Sequence, residues 1–185
     1  MITSIRIATG TLDEVRGEGL VLGLFADERP PRGRCGFADW RMNGLISRYM
    51  KEGLVTGDFL EKTLIPSQER IASPKILLIG LGKSEDITYD QFYTAGYTIA
   101  ETVGGMGWRE VVLDVPIRGD SRLDVSTMTE ALITGYADYR GEARRWPVYS
   151  TDVLADSSCR EGIVKGLDRF RKNGGKDVLE MDVLI

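Results

Sequence analysis

Residues 76–84, Ile-Leu-Leu-Ile-Gly-Leu-Gly-Lys-Ser, pass from an aliphatic run into two glycines, a lysine and a hydroxyl. These are the residue types that cradle phosphate when successive backbone N–H groups turn toward one point. Gly82-Lys83-Ser84 matches the last three positions of a G-x-x-x-x-G-K-[ST] loop, but the first glycine of that loop falls on Leu77, where an extended backbone cannot wrap a phosphate. The dinucleotide pattern G-x-G-x-x-G fits Gly80 and Gly82 and then meets Glu85, a carboxylate that repels pyrophosphate. The next helix, signposted at Thr88, begins too far on to lend its N-terminus to an anion at Gly82. Gly80, Gly82 and Lys83 are thus expected to form a strand-end turn; if this region has a binding function, they are its candidate ligand contacts. The second glycine cluster, "TVGGMGW" from Thr102 to Trp108, adds Gly104 and Gly105 to those candidates. A helix C-cap is its plainer account, with Trp108 packed inside.

Other chemistry is removed by composition. The chain has no histidine, which eliminates Ser-His and Cys-His pairs, the HExxH zinc site and the most frequent general base. Cys35 and Cys159 are far apart with no CxxC spacing, so they are expected as free thiols in a reducing cytoplasm. Asp13/Glu14, Asp27/Glu28, Glu85/Asp86 and Asp152/Asp156 lack the density that holds two metal ions and read as solvated turns. Arg144 and Arg145 suit a helix C-terminus. No catalytic residue, metal or cofactor is expected.

Short apolar or period-2 runs mark strands at 2–8, 20–25, 62–65, 76–80, 111–115, near Val148 and at 178–185. Between them lie helical stripes. Met42, Leu45, Ile46, Tyr49 and Met50 give one buried face to a helix over about 38–52, with Gly53 as its C-cap. Thr88 and Gln91 form a T-x-x-Q capping box for a helix whose apolar face includes Phe92, Gly96 and Ala100. Thr127 with Glu130, and Ser158 with Glu161, are the expected caps of two more, the last stopped at Asn173-Gly174-Gly175. "DERPPRGRCG", from Asp27 to Gly36, reads as loop. Alternating strands and helices predict a three-layer α/β/α fold whose central sheet is flanked by helices on both faces, and is made mixed by its terminal strands.

At 185 residues with 42% hydrophobic content, one domain is expected. The net charge of −4, with basic residues scattered, disfavours a nucleic-acid partner. No apolar run approaches the ~20 residues of a membrane span, and the N-terminus lacks the layout of an export signal, so the chain is expected to be cytoplasmic.

With "GLVLGLF", "ILLIGLGK", "QFYTAGYTIAETV" and "MTEALITGYADYRGE" in this order over about residues 19–142, the chain resembles the N-terminal domain of M17 leucyl aminopeptidases. That resemblance implies a macro-domain-like fold, with the peptidase chemistry in a separate C-terminal domain that holds two metal ions. The family's catalytic run Asn-Thr-Asp-Ala-Glu-Gly-Arg has no counterpart here; "STDVLADSS" shares only Thr-Asp. The closing stretch ends on a strand, not on a connector into a catalytic half. The expectation is a stand-alone, non-catalytic domain acting by binding or assembly, with itself or with another protein such as an aminopeptidase. The alternative is a binder of ADP-ribose or a related nucleotide beside residues 80–83 and 104–107.

Overall fold

The computed structural model describes residues 3–117, 123–142, 150–173 and 179–183. Among these, seven strands form one sheet: β1 (Thr3–Ala8), β2 (Gly19–Leu24), β3 (Lys62–Pro66), β4 (Lys75–Gly80), β5 (Glu110–Leu113), β6 (Ser150–Leu154) and β7 (Leu179–Val183), in the order β3-β4-β2-β5-β6-β1-β7. Each strand expected from an apolar run has a counterpart, the one expected near Val148 being β6, although Val148 itself lies outside the described residues. The sheet is mixed, as expected, but for a different reason. Terminal strands β1 and β7 pair parallel to each other, and the antiparallel member is edge strand β3, joined to β4 by a hairpin. A hairpin loop of eight residues leaves no room for the crossover that a parallel pair requires.

Five helices cover the two faces among the described residues. Helices α3 (Tyr89–Gly105), α4 (Val125–Glu142) and α5 (Arg160–Lys172) pack over one core with Ile79, Phe92, Val111, Leu132, Tyr136 and Val153. Helices α1 (Gly33–Arg41) and α2 (Leu45–Lys51) close the other over Leu22, Ile46, Ile76 and Leu78. This is the three-layer arrangement.

Local chemistry explains where helices begin and end. The Thr88–Gln91 capping box is formed: the Gln91 N–H donates to the Thr88 hydroxyl, and the Thr88 N–H donates to Gln91 Oε1 at 2.9 Å. The single helix expected over 38–52 is two helices, because Asn43 and Gly44 both adopt left-handed backbone (φ 55° and 72°), which a right-handed helix cannot pass through. The buried Asp39 carboxylate accepts from the Ser47 N–H across that break. Gly53, with φ 74°, follows the end of α2 as expected. The loop expected over Asp27–Gly36 ends early, at the first residue of α1.

Two caps differ from expectation. Asp124, not Thr127 with Glu130, serves the start of α4, accepting from the Thr127 N–H at 2.8 Å and the Ser126 hydroxyl. Ser158 is tied to Asp156, and α5 starts after Cys159 with no side-chain cap. At α4 a carboxylate three residues upstream takes the role expected of the Thr127 hydroxyl, and before α5 the Asp156 carboxylate holds Ser158 away from it, a charge-assisted bond being the stronger one. Asn173 ends α5 as expected; Gly174, Gly175, Arg144 and Arg145 lie outside the described residues.

Candidate functional site

Strands β2, β4, β5 and β6 run parallel, so their C-terminal ends share one edge of the sheet. The Gly80-Leu81-Gly82-Lys83 corner is on that edge, directly after β4. The backbone N–H groups of its first three residues are spent on the fold. Gly80 donates to the Glu61 carbonyl at 2.8 Å, Leu81 to Leu24 at 2.9 Å and Gly82 to Gly57 at 2.9 Å, while the Ser84 N–H donates to Asp27 Oδ1 at 3.0 Å. Gly82 takes φ 72°, and a Cβ on Gly80 would sit 2.0 Å from the Asp58 carbonyl oxygen, so both glycines answer a steric need. The Lys83 side chain is exposed. Gly104 and Gly105 are in the last turn of α3, before the start of β5, at the opposite edge. Gly107, with φ 71°, turns the chain there, and Trp108 is buried against Gly19. The two glycine clusters are not brought together.

A cleft of about 270 Å³ opens instead where β2, β5 and β6 end and α1 begins. Arg34, in the first turn of α1, reaches across it. One terminal nitrogen donates to Asp114 Oδ1 at 2.7 Å and the other to Asp156 Oδ2 at 2.9 Å, with the Cys159 sulfur 3.7 Å away. Asp114 directly follows β5 and its side chain is 5% exposed, whereas that of Asp156, after β6, is 54% exposed. Burial pushes the Asp114 carboxyl above its ordinary range, and Arg34 pulls against that shift without reversing it. Asp156 is held low, first by the Ser158 hydroxyl bond and with help from Arg34. Burial pushes the Cys35 thiol up, which keeps it a poor nucleophile.

Phe25, Phe37, Pro116 and Ile117 supply apolar lining, and buried Glu28 and exposed Arg32 complete the polar part. The aromatic surface continues outside, where Phe37 meets Trp40, 69% exposed, at 5.8 Å between ring centroids. Such a cleft can hold a small ring-bearing molecule or a partner's side chain. Among the described residues, no group of three or more Cys, Asp or Glu is placed to hold a metal ion. No helix described is long and apolar enough to cross a membrane.

Sequence reasoning did not reach Arg34, Asp114, Asp156 or Glu28 as a site. A signal existed: the runs "EVVLD" and "DVLAD" each end in an aspartate just past the strand. Nothing local said that one arginine, 80 residues from the first and 122 from the second, would meet both.

A mostly parallel sheet between two helical layers, with a cleft at the strand ends, defines a macrodomain-like α/β domain. The model of the N-terminal domain of the cytosol aminopeptidase family matches residues 21–140, and the chain belongs to that family. It is 24% identical over 131 residues to a probable cytosol aminopeptidase of a Cyanothece species, covering 71% of this chain and 26% of that protein. The chain spans about a quarter to a third of the length of the curated relatives it matches. A tomato leucine aminopeptidase variant superposes with TM-score 0.60 at 19% identity, over 89% of this chain and 36% of that one. A Trypanosoma brucei macrodomain in complex with ADP-ribose gives TM-score 0.70 at 12% identity, over 88% and 68%.

Proposed function

We propose that this domain binds or assembles and does not cleave peptides. The observation that supports this reading is the extent of the family match: residues 21–140 correspond to the N-terminal domain of the cytosol aminopeptidase family. The cleft groups fit it, since Arg34, Asp114 and Asp156 engage one another as ions and not as a nucleophile with its base. An assembly partner, a second copy or an aminopeptidase, would find an apolar contact at Trp40 and Phe37, where exposed aromatics suit an interface anchor. Incubation with leucine-p-nitroanilide and Mn or Zn ions is expected to give no turnover; metal-dependent turnover at peptidase rates refutes the reading.

A second reading, a nucleotide ligand such as ADP-ribose, draws support from the position of the cleft. Open α/β sheets hold ligands outside the C-terminal ends of their strands, and the T. brucei neighbour is named with ADP-ribose. On this reading Lys83 is an exposed cation on the same edge, beyond neighbouring β4, and Gly80 and Gly82 shape the turn that presents it. Gly104 and Gly105, at the far edge, take no part. Thermal shift against ADP-ribose, AMP and adenosine tests it: ligand at 100 times its Kd should stabilise by ~2.7 kcal/mol, and a flat panel removes the reading.

A further inference from the structure

We infer that Arg34 is the anion-binding group of the cleft and that Asp156 occupies the place of a ligand's phosphate. The inference rests on the nucleotide reading of the same cleft and names the group that would recognise the ligand. The two ends of the guanidinium are not equivalent. One faces Asp114, whose buried carboxylate would be stranded if the pair broke. The other faces Asp156, whose side chain is more than half exposed, so that exchanging it for another anion trades one solvent-screened pair for a second.

Asp156 is also anchored without Arg34. Its Oδ1 accepts from the Ser158 N–H at 2.9 Å and from the Ser158 hydroxyl, leaving Oδ2 as the oxygen that touches Arg34. A ligand can therefore displace that contact without unseating the loop before α5. The planar, permanently charged fork of an arginine suits a phosphate oxygen pair, and a buried partner on its far side fixes its direction. Nearby Phe25 and Phe37 line room for the ring that a nucleotide carries. The Gly80–Ser84 corner offers no comparable set, since its N–H groups at residues 80, 81, 82 and 84 already have acceptors.

The test is Asp156→Asn. Its amide oxygen must stay with the Ser158 N–H, so its amide nitrogen faces Arg34, cannot accept, and leaves that end of the guanidinium open. Calorimetric titration with ADP-ribose, AMP, inorganic pyrophosphate and adenosine is compared for wild type, Asp156→Asn and Arg34→Lys, with a melting curve confirming that each is folded. Asp156→Asn is expected to tighten the phosphate-bearing probes roughly fivefold, the value of a screened pair, and to leave adenosine unchanged. Arg34→Lys keeps a charge for Asp114 but loses the fork, and should weaken the same probes about tenfold. Equal ADP-ribose binding by all three proteins overturns the role of Arg34 and leaves the nucleotide reading standing, as does a gain that extends to adenosine. Pyrophosphate bound tighter by Asp156→Asn, with ADP-ribose bound by none, supports Arg34 and removes the nucleotide. No probe bound by any protein overturns both.

Discussion

Helices α3 and α4 cross with glycine against backbone, which makes Gly96→Ala the sharpest test of the packing. A Cβ on Gly96 would sit 1.9 Å from the Leu132 carbonyl oxygen, and one on Gly135 the same distance from that of Tyr93. Neither obstacle is a side chain that can rotate away, so the helices must separate by roughly 1 Å or more, and a gap of that size forfeits a quarter to a half of the dispersion energy across the interface. The separation also pulls on two links between the helices, the edge-to-face pair of Tyr97 and Tyr139 at 5.1 Å and the Tyr93 hydroxyl bond to Asp138 at 2.8 Å. Overpacking costs about 1–3 kcal/mol and belongs at the upper end where the obstacle is backbone, while alanine regains about 1 kcal/mol of helix propensity over glycine. A net loss of about 2 kcal/mol is expected for Gly96→Ala, read as a lower urea midpoint at unchanged slope. Gly105→Ala is the control: it is in the same helix with nothing within 4 Å of its Cβ, and should be neutral or up to about 1 kcal/mol stabilising. Equal midpoints for Gly96→Ala and wild type would refute the close crossing.

Acid dependence should carry the signature of the α4 cap. The Ser126 and Thr127 hydrogen bonds hold the Asp124 carboxyl below its ordinary range, so its contribution is complete above the unfolded value near ~3.9 and is lost as pH falls through the lower folded value. Asp124→Ala should therefore be about 1 kcal/mol less stable than wild type at pH 6, with the difference narrowing as acid titrates the Asp124 carboxylate; a difference that does not change with pH across that titration excludes the mechanism. Cys35 is buried and its thiol is pushed up, so a thiol reagent should leave it unmodified in the native protein at pH 8 and label it on denaturation, as followed by mass spectrometry. Rapid native labelling at Cys35 would show that the floor of the cleft opens.

Much of the fold was legible because its causes are local. Thr88 and Gln91 cap their helix within one turn, and runs such as "ILLIG" bury on both faces of a sheet and so need no alternation. Asn43-Gly44 was within reach too, since that dipeptide favours the left-handed backbone that splits α1 from α2, but the continuous apolar stripe on either side concealed the break. The cap of α4 was misplaced because an S/T-x-x-E pattern and an aspartate three residues earlier compete for the same N–H, and only the three-dimensional structure shows which one reaches it.

The order of residues determined the elements, the three layers and the family, since each depends on short-range periodicity or on motifs read in sequence. The place where the ends of β2, β5 and β6 converge was decided only by folding. Sheet order brings Arg34 to Asp114 and Asp156 across long chain separations, and the free energy of that meeting comes from shared burial and charge that no window of neighbouring residues contains. The Gly80–Lys83 corner looked chemical in one dimension; in three, its amides hold the sheet edge together, and the polar groups of the edge gather one strand away.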